Sequence, residues 1–204
     1  MDPALTVRGF ILGFAIAAAV GPISLLVIRR TLAGGRIAGL ISGLGVATAD
    51  ATYGAIAAFG LGAVTQALVD ARHVLGLIGG LFLLWLAWNT ARAEPNDPAT
   101  LKPRCAGLAA AYLSILGLTL TNPMTILSFG ALFAGLGVTS TEAGGAALIT
   151  VGVLLGSVVW WVVLTSVVSA LRTRVTPTWI RRINIASGVA IGVFALLSIA
   201  TAVR

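Results

Sequence analysis

The sequence predicts an all-α integral membrane protein: six transmembrane helices in a 3+3 inverted repeat, with helices 1 and 4 broken at Gly-Pro and Asn-Pro. Three observations lead there. Hydrophobic residues make up 58% of the chain and charged residues 9%, whereas a soluble domain carries about 25% charged residues. The polar residues are too few to cover a water-soluble surface of a 204-residue chain. Six apolar runs have about the 20-residue length needed to cross a bilayer core. Finally, only two of the seven prolines fall inside those runs, and both fall near the middle.

The runs cover 9–28, 37–64, 74–91, 106–136, 144–170 and 183–203. The first break between them holds Arg29, Arg30 and Arg36, and the second holds Gln66, Asp70, Arg72 and His73. The third runs from Arg92 to Arg104, contains Pro95, Pro98 and Pro103, and is the one real linker. The fourth carries Glu142 and no basic residue; the fifth holds Arg172, Arg174, Arg181 and Arg182. Cytoplasmic loops are enriched in Lys and Arg. The first, third and fifth breaks hold ten of the 13 basic residues, which places them in the cytoplasm and both termini outside. The net charge of +7 is then topology signal plus attraction to anionic lipid. With no separate basic domain, nucleic acid is not an expected partner. Arg8 before GFILGFAIAAAV also fits a signal peptide with an Ala-x-Ala site. Cleavage near Ala19 would leave five spans, and the basic end is weak, so the segment reads as a span.

The whole chain, 1–204, reads as one transmembrane domain of two halves, 1–93 and 105–204, joined by a linker at 94–104. LGVATADATY, from Leu44, lines up with VGVLLGSVVW, from Val151. Gly45 then falls on Gly152, Asp50 on Ser157 and Tyr53 on Trp160. Gly21-Pro22 lies upstream of the first, Asn122-Pro123 upstream of the second. Three spans per half give the halves opposite orientation. The charge asymmetry of the first and fourth breaks agrees, as in inverted-repeat transporters.

Pro22 and Pro123 each follow a residue able to begin a helix, Gly21 and Asn122. Proline lacks an N–H and crowds the preceding turn, but it fits the first helical position, and Asn is a strong N-cap. Each pair reads as an internal helix start. Two such starts at mid-depth offer free N–H groups and partial positive charge to a carboxylate.

Asp50 is the one acid inside a run. An ionised Asp at the bilayer centre costs roughly 2.5–3.5 kcal/mol on insertion scales, so it should face the interior or a cavity. There it suits a substrate ammonium or a transferable proton; the alternative is a structural bond to a neighbouring helix. Val46, Ala47, Tyr53 and Gly54 share its helix face, and Gly39, Gly43 and Ala47 form a stripe that admits another helix. Trp160, aligned with Tyr53, is a candidate pocket wall. Ser24, Thr119 and Thr121 are further polar candidates beside the breaks. Trp85, Trp88 and Trp179 read as interfacial anchors.

These residues resemble the lysine-exporter (LysE/RhtB-type) translocators. The likeness lies in GPISLLVIRRTLAGGRIAGLISGLGVATADATYGAIAAFGL and in TNPMTILSFGALFAGLG. It rests on Gly21-Pro22, the Gly34-Gly35-Arg36 turn, Gly39, Gly43-x-Gly45, Asp50 with Tyr53, and the Asn-Pro element. Many members read Pro-Gly-Pro where this chain has Ala19-Val20-Gly21-Pro22. The resemblance implies an exporter of amino acids or similar small solutes in the cytoplasmic membrane, driven by the proton gradient. Relatives are also associated with other cargo, including metal cations.

Other classes fit less well. A divalent-metal exporter wants clustered His, Cys or carboxylate ligands, and His73 is the one histidine, at a run's edge. A thiol-disulfide carrier needs two cysteines, and Cys105 stands alone. No catalytic triad, phosphate loop or metal motif is present, so neither an enzyme nor a cofactor is expected, the proton aside. Expected partners are the small-molecule substrate and the lipid bilayer. The glycine-rich faces permit a homodimer.

Overall fold

The computed structural model describes residues 3–19, 21–60, 67, 70–92, 105–122, 125, 126, 128, 129, 143–171 and 177–203. Among the described residues there is no strand. Six helices follow in order: α1 (Pro3–Ala18), α2 (Pro22–Ala58), α3 (Arg72–Ala91), α4 (Cys105–Leu120), α5 (Ala143–Leu171) and α6 (Pro177–Ala202). Among the described residues, three stretches are long and apolar enough to cross a membrane: α2, α5 and Arg181–Ala202 of α6. Pro3–Ala18, His73–Asn89 and Gly107–Leu120 are shorter apolar helices.

The expected first run, 9–28, is shared by two helices. α1 stops at Ala18, Gly21 is extended (φ −139°, ψ −173°), and Pro22 opens α2. The Leu25 amide makes the first helical bond of α2, to the Gly21 carbonyl at 3.1 Å. Proline suits that start because its missing N–H would have had no partner there. At 37 residues, α2 would measure about 55 Å if straight, far beyond a hydrocarbon core of about 30 Å. Gly35 resolves this. Its φ of 82° and ψ of 177° lie where essentially only glycine goes. The chain folds back there, so a Cβ on Gly39 would overlap Thr31.

This corrects one sequence expectation. Arg29 and Arg30 were expected in a polar loop, but both lie within α2, and the reversal waits for Gly35. Arg is a good helix former, so polarity alone does not end the helix.

Near the other proline, α4 ends at Leu120. The carbonyl of Asn122 accepts from the amides of Thr125 (3.1 Å) and Ile126 (3.2 Å). That is the bonding of a residue that begins a helical turn. Pro123 lies outside the described residues, as do 130–142, where the fourth run was expected to continue.

Glycines set the packing. Gly9 and Gly13 of α1 press on the Ile149 and Val153 backbone, and Gly152 and Gly156 of α5 press on Thr6, Phe10 and Phe14. Positions rise together, so α1 and α5 run parallel. In the 36–58 segment, Gly39, Gly43 and Gly54 meet Thr165, Trp161 and Val153, which makes this segment antiparallel to α5. Gly45 meets Tyr112 and Ile115, and the Tyr53 hydroxyl donates to the Leu120 carbonyl, which makes it parallel to α4. Gly76 and Gly80 meet Ser198 and Ile199, while Gly188 meets Ala87 and Ala91, so α3 and α6 are antiparallel. Among the described residues these four pairings are the most extensive. Small residues let backbones approach closely where lipid gives no hydrophobic drive for helices to associate.

A side chain on Gly13 or Gly156 must push α1 from α5, because a Cβ there would collide with backbone carbonyls. Gly13→Ala and Gly156→Ala should each destabilise the protein by roughly 1–3 kcal/mol. Gly117, where a Cβ has open space, should accept Ala without loss. Melting of the detergent-solubilised variants distinguishes the two classes.

Candidate functional site

Asp50 sits near the middle of the 36–58 segment. Its side chain is 1% exposed, on the face that the glycines turn toward α5. The Ser157 hydroxyl, from α5, donates to Asp50 Oδ2 at 2.7 Å. Trp161, one turn further along α5, donates its indole N–H to Ser157 Oγ at 3.2 Å. An indole N–H can only donate. It therefore occupies Ser157 as an acceptor and leaves the serine proton pointing at the carboxylate. Asp50 Oδ1 carries no hydrogen bond among the described residues.

Asp50 lines a cavity of about 230 Å³, large enough to hold several waters or a small solute. The cavity lies where the helices are interrupted. Gly21, Pro22 and Ser24 border it from the start of α2, and Thr119 and Asn122 from the end of α4. Thr125 and Ser128 add hydroxyls; Trp161 and Phe194 form aromatic walls. A Cβ built on Gly21 meets nothing within 4 Å, so the break opens onto free space. The amides of Ile23 and Ser24 fall in the first turn, where no carbonyl of α2 can bond them. Ser24 does not cap them; its hydroxyl reaches the Ala19 carbonyl at 3.4 Å.

Of the residues singled out from the sequence, Asp50, Gly21, Pro22, Ser24, Thr119 and Asn122 meet at this one cavity. Ser157 stands behind Asp50 as its hydrogen-bond donor. Tyr53 is elsewhere: it is buried, its ring centroid 5.7 Å from that of Phe129 and its hydroxyl tied to α4. Trp160 points toward α1, edge-to-face on Phe14 at 5.5 Å, with its Nε1 buried and without a partner among the described residues. Thr121 does not line the cavity, and Pro123 is outside the described residues.

Two wall residues escaped the sequence reading. Trp161 was passed over for its neighbour, yet its place four positions after Ser157 was an available signal, since such pairs share a helix face. Phe194 lies in an unbroken apolar run and carries no mark of its own. A third missed residue is Arg30. Its guanidinium donates to Ser42 Oγ (3.1 Å), the Ala111 carbonyl (2.6 Å) and Ser114 Oγ (2.8 Å).

Comparison with known proteins places the sequence in a family. A membrane protein of Escherichia coli (strain K12), the uncharacterized YahN, is 31% identical over 174 residues, covering 84% of this chain and 78% of the relative. The uncharacterized membrane protein slr1627 of Synechocystis is 32% identical over 115 residues, 56% of each chain. No solved structure matches. The model of the LysE type translocators matches residues 14–201. With its apolar helices packed around a lined cavity and a match over nearly its whole length, the chain belongs to the LysE type translocator family of membrane transporters.

Proposed function

We propose that this protein is a secondary exporter of the cytoplasmic membrane. It moves amino acids or related small solutes by alternating access around the Asp50 cavity, coupled to protons. One observation carries the reading: a buried carboxylate, with one oxygen fixed by Ser157 and the other unbonded among the described residues, borders a cavity at the helix interruptions. A zwitterion has two charged ends. Asp50 Oδ1 suits the ammonium, and the first-turn amides of α2 suit the carboxylate. The Trp161 and Phe194 faces favour a cation as well. Between cargo cycles the same carboxylate holds the coupling proton.

The packing supports the 3+3 inverted repeat and six spans that this mechanism uses. Exchanging the halves turns the α1–α5 pair into the α4–α2 pair and leaves α2–α5 and α3–α6 as they are. These are the four most extensive pairings. Counterpart helices run antiparallel, as inversion requires. Gly45 faces the Tyr112 carbonyl and Leu116 amide, and Gly152 faces the Thr6 carbonyl and Phe10 amide, the same pair of backbone groups in each half. Asp50 and Ser157, aligned by sequence, bond to each other, as counterparts beside a two-fold axis would. Pro22 and Asn122 mark the two helix breaks, and the arginine-bearing ends face the cytoplasm. Among the described residues no three His, Cys, Asp or Glu side chains gather. A divalent cation would favour such a cluster, so an organic cargo is the better reading.

The direct test is export from cells preloaded with dipeptides. Asp50→Asn should lose at least about 90% of export at equal expression, given the cost of losing a charged partner. Undiminished export would exclude Asp50 from the mechanism. Ser157→Ala leaves Asp50 Oδ2 without its donor and should lower stability by about 1–3 kcal/mol, read as a lower melting temperature. Gly21→Phe should fill the cavity and block export while the protein still folds, because the added side chain enters open space.

A further inference from the structure

Arg30 lies in the 22–34 segment of α2, half-buried, and the mechanism above gives it no part. Its guanidinium bonds three acceptors on two other segments. Ser42 belongs to the 36–58 segment beyond the Gly35 reversal; Ala111 and Ser114 belong to α4. All three acceptors are neutral, and the bonds are charge-assisted. A planar fork that engages several acceptors at once is what Arg offers and Lys does not. Ser42 precedes Asp50 by eight positions, so the Arg30 cluster lies about 12 Å from the carboxylate along the helix, toward the arginine-bearing end.

The counterpart interface is built differently. α1 and α5 meet through glycines on backbone and through apolar side chains, Phe14 on Trp160 among them. α2 and α4 also meet at a glycine, Gly45, but side-chain hydrogen bonds tie them as well: Arg30 to Ala111 and Ser114, Tyr112 to Thr48 at 2.9 Å, and Tyr53 to Leu120. Backbone contact through glycine is lost wholly when helices part. Bonds from a long guanidinium can pass to water as a path opens, at a net cost on the scale of one or two hydrogen bonds.

We propose that Arg30 is a positioning residue of transport: it latches the path from the Asp50 cavity to the arginine-bearing face, and that path opens only when its bonds to α4 break. This rests on the alternating-access reading, but its test needs no cargo. In a Cys105→Ser background, Ser24→Cys places a reporter in the cavity, and Arg36→Cys identifies the arginine-bearing face. A membrane-impermeant maleimide is applied to right-side-out and inside-out vesicles. Arg30→Gln should raise Ser24→Cys labelling about tenfold from the face that labels Arg36→Cys, the scale of one or two lost hydrogen bonds, and not from the other. Ser114→Ala, which removes one acceptor and keeps the guanidinium, should give a smaller rise from the same face and serves if Arg30→Gln fails to fold. An unchanged rate, or an equal rise from both faces, would overturn the latch. Dipeptide-loaded export by Asp50→Asn tests the transport reading separately, so the two can fail independently.

Discussion

The hydrogen bond from Ser157 to Asp50 is the constraint on which the site depends. A carboxylate in mid-helix, 1% exposed, must be satisfied or neutralised. Here the satisfaction is partial and directional. Trp161 fixes Ser157, Ser157 fixes Oδ2, and Oδ1 is left to the cavity that Asp50 lines. Buried polar networks are costly when half-satisfied; in the function proposed, a solute in the cavity completes the other half.

That bond requires α2 and α5 to approach within reach of two short side chains. Glycines make the approach possible on both sides of it. Gly43 and Gly54 let Trp161 and Val153 settle against α2, while Gly152 and Gly156 draw α1 onto an adjoining face of α5. The reversal at Gly35 then returns the 22–34 segment alongside the 36–58 segment, with Pro22 and Ser24 at the same cavity as Asp50. One glycine conformation thereby brings both ends of the site, the helix start and the carboxylate, together on two adjacent segments of the chain.

Much of this was legible in the sequence, for physical reasons. Apolar runs mark helices because lipid tolerates little else. Pro22 marks a helix start because proline fits only there. Asp50 stood out because a charge at that depth is expensive, and Ser157 because it lined up with Asp50 across the halves. What the sequence hid is rotational or local. Trp160 and Trp161 differ by about 100° around the helix, and only the seating of α5 on α1 decides which of them faces the cavity. Arg29 and Arg30 read as loop because charge resembles a boundary, while the chain reverses at a glycine five positions after Arg30. Arg30 is held by a carbonyl and two hydroxyls, partners that leave no charge pattern to read.

The most direct measurement is a double-mutant cycle on solute binding to the purified protein in lipid nanodiscs, followed through the fluorescence of Trp161 in the cavity wall. If Ser157 acts through Asp50, its removal weakens binding in the native background and does nothing further once Asp50→Asn is present. Equal losses from Ser157→Ala in both backgrounds would contradict the coupled pair at the centre of the account.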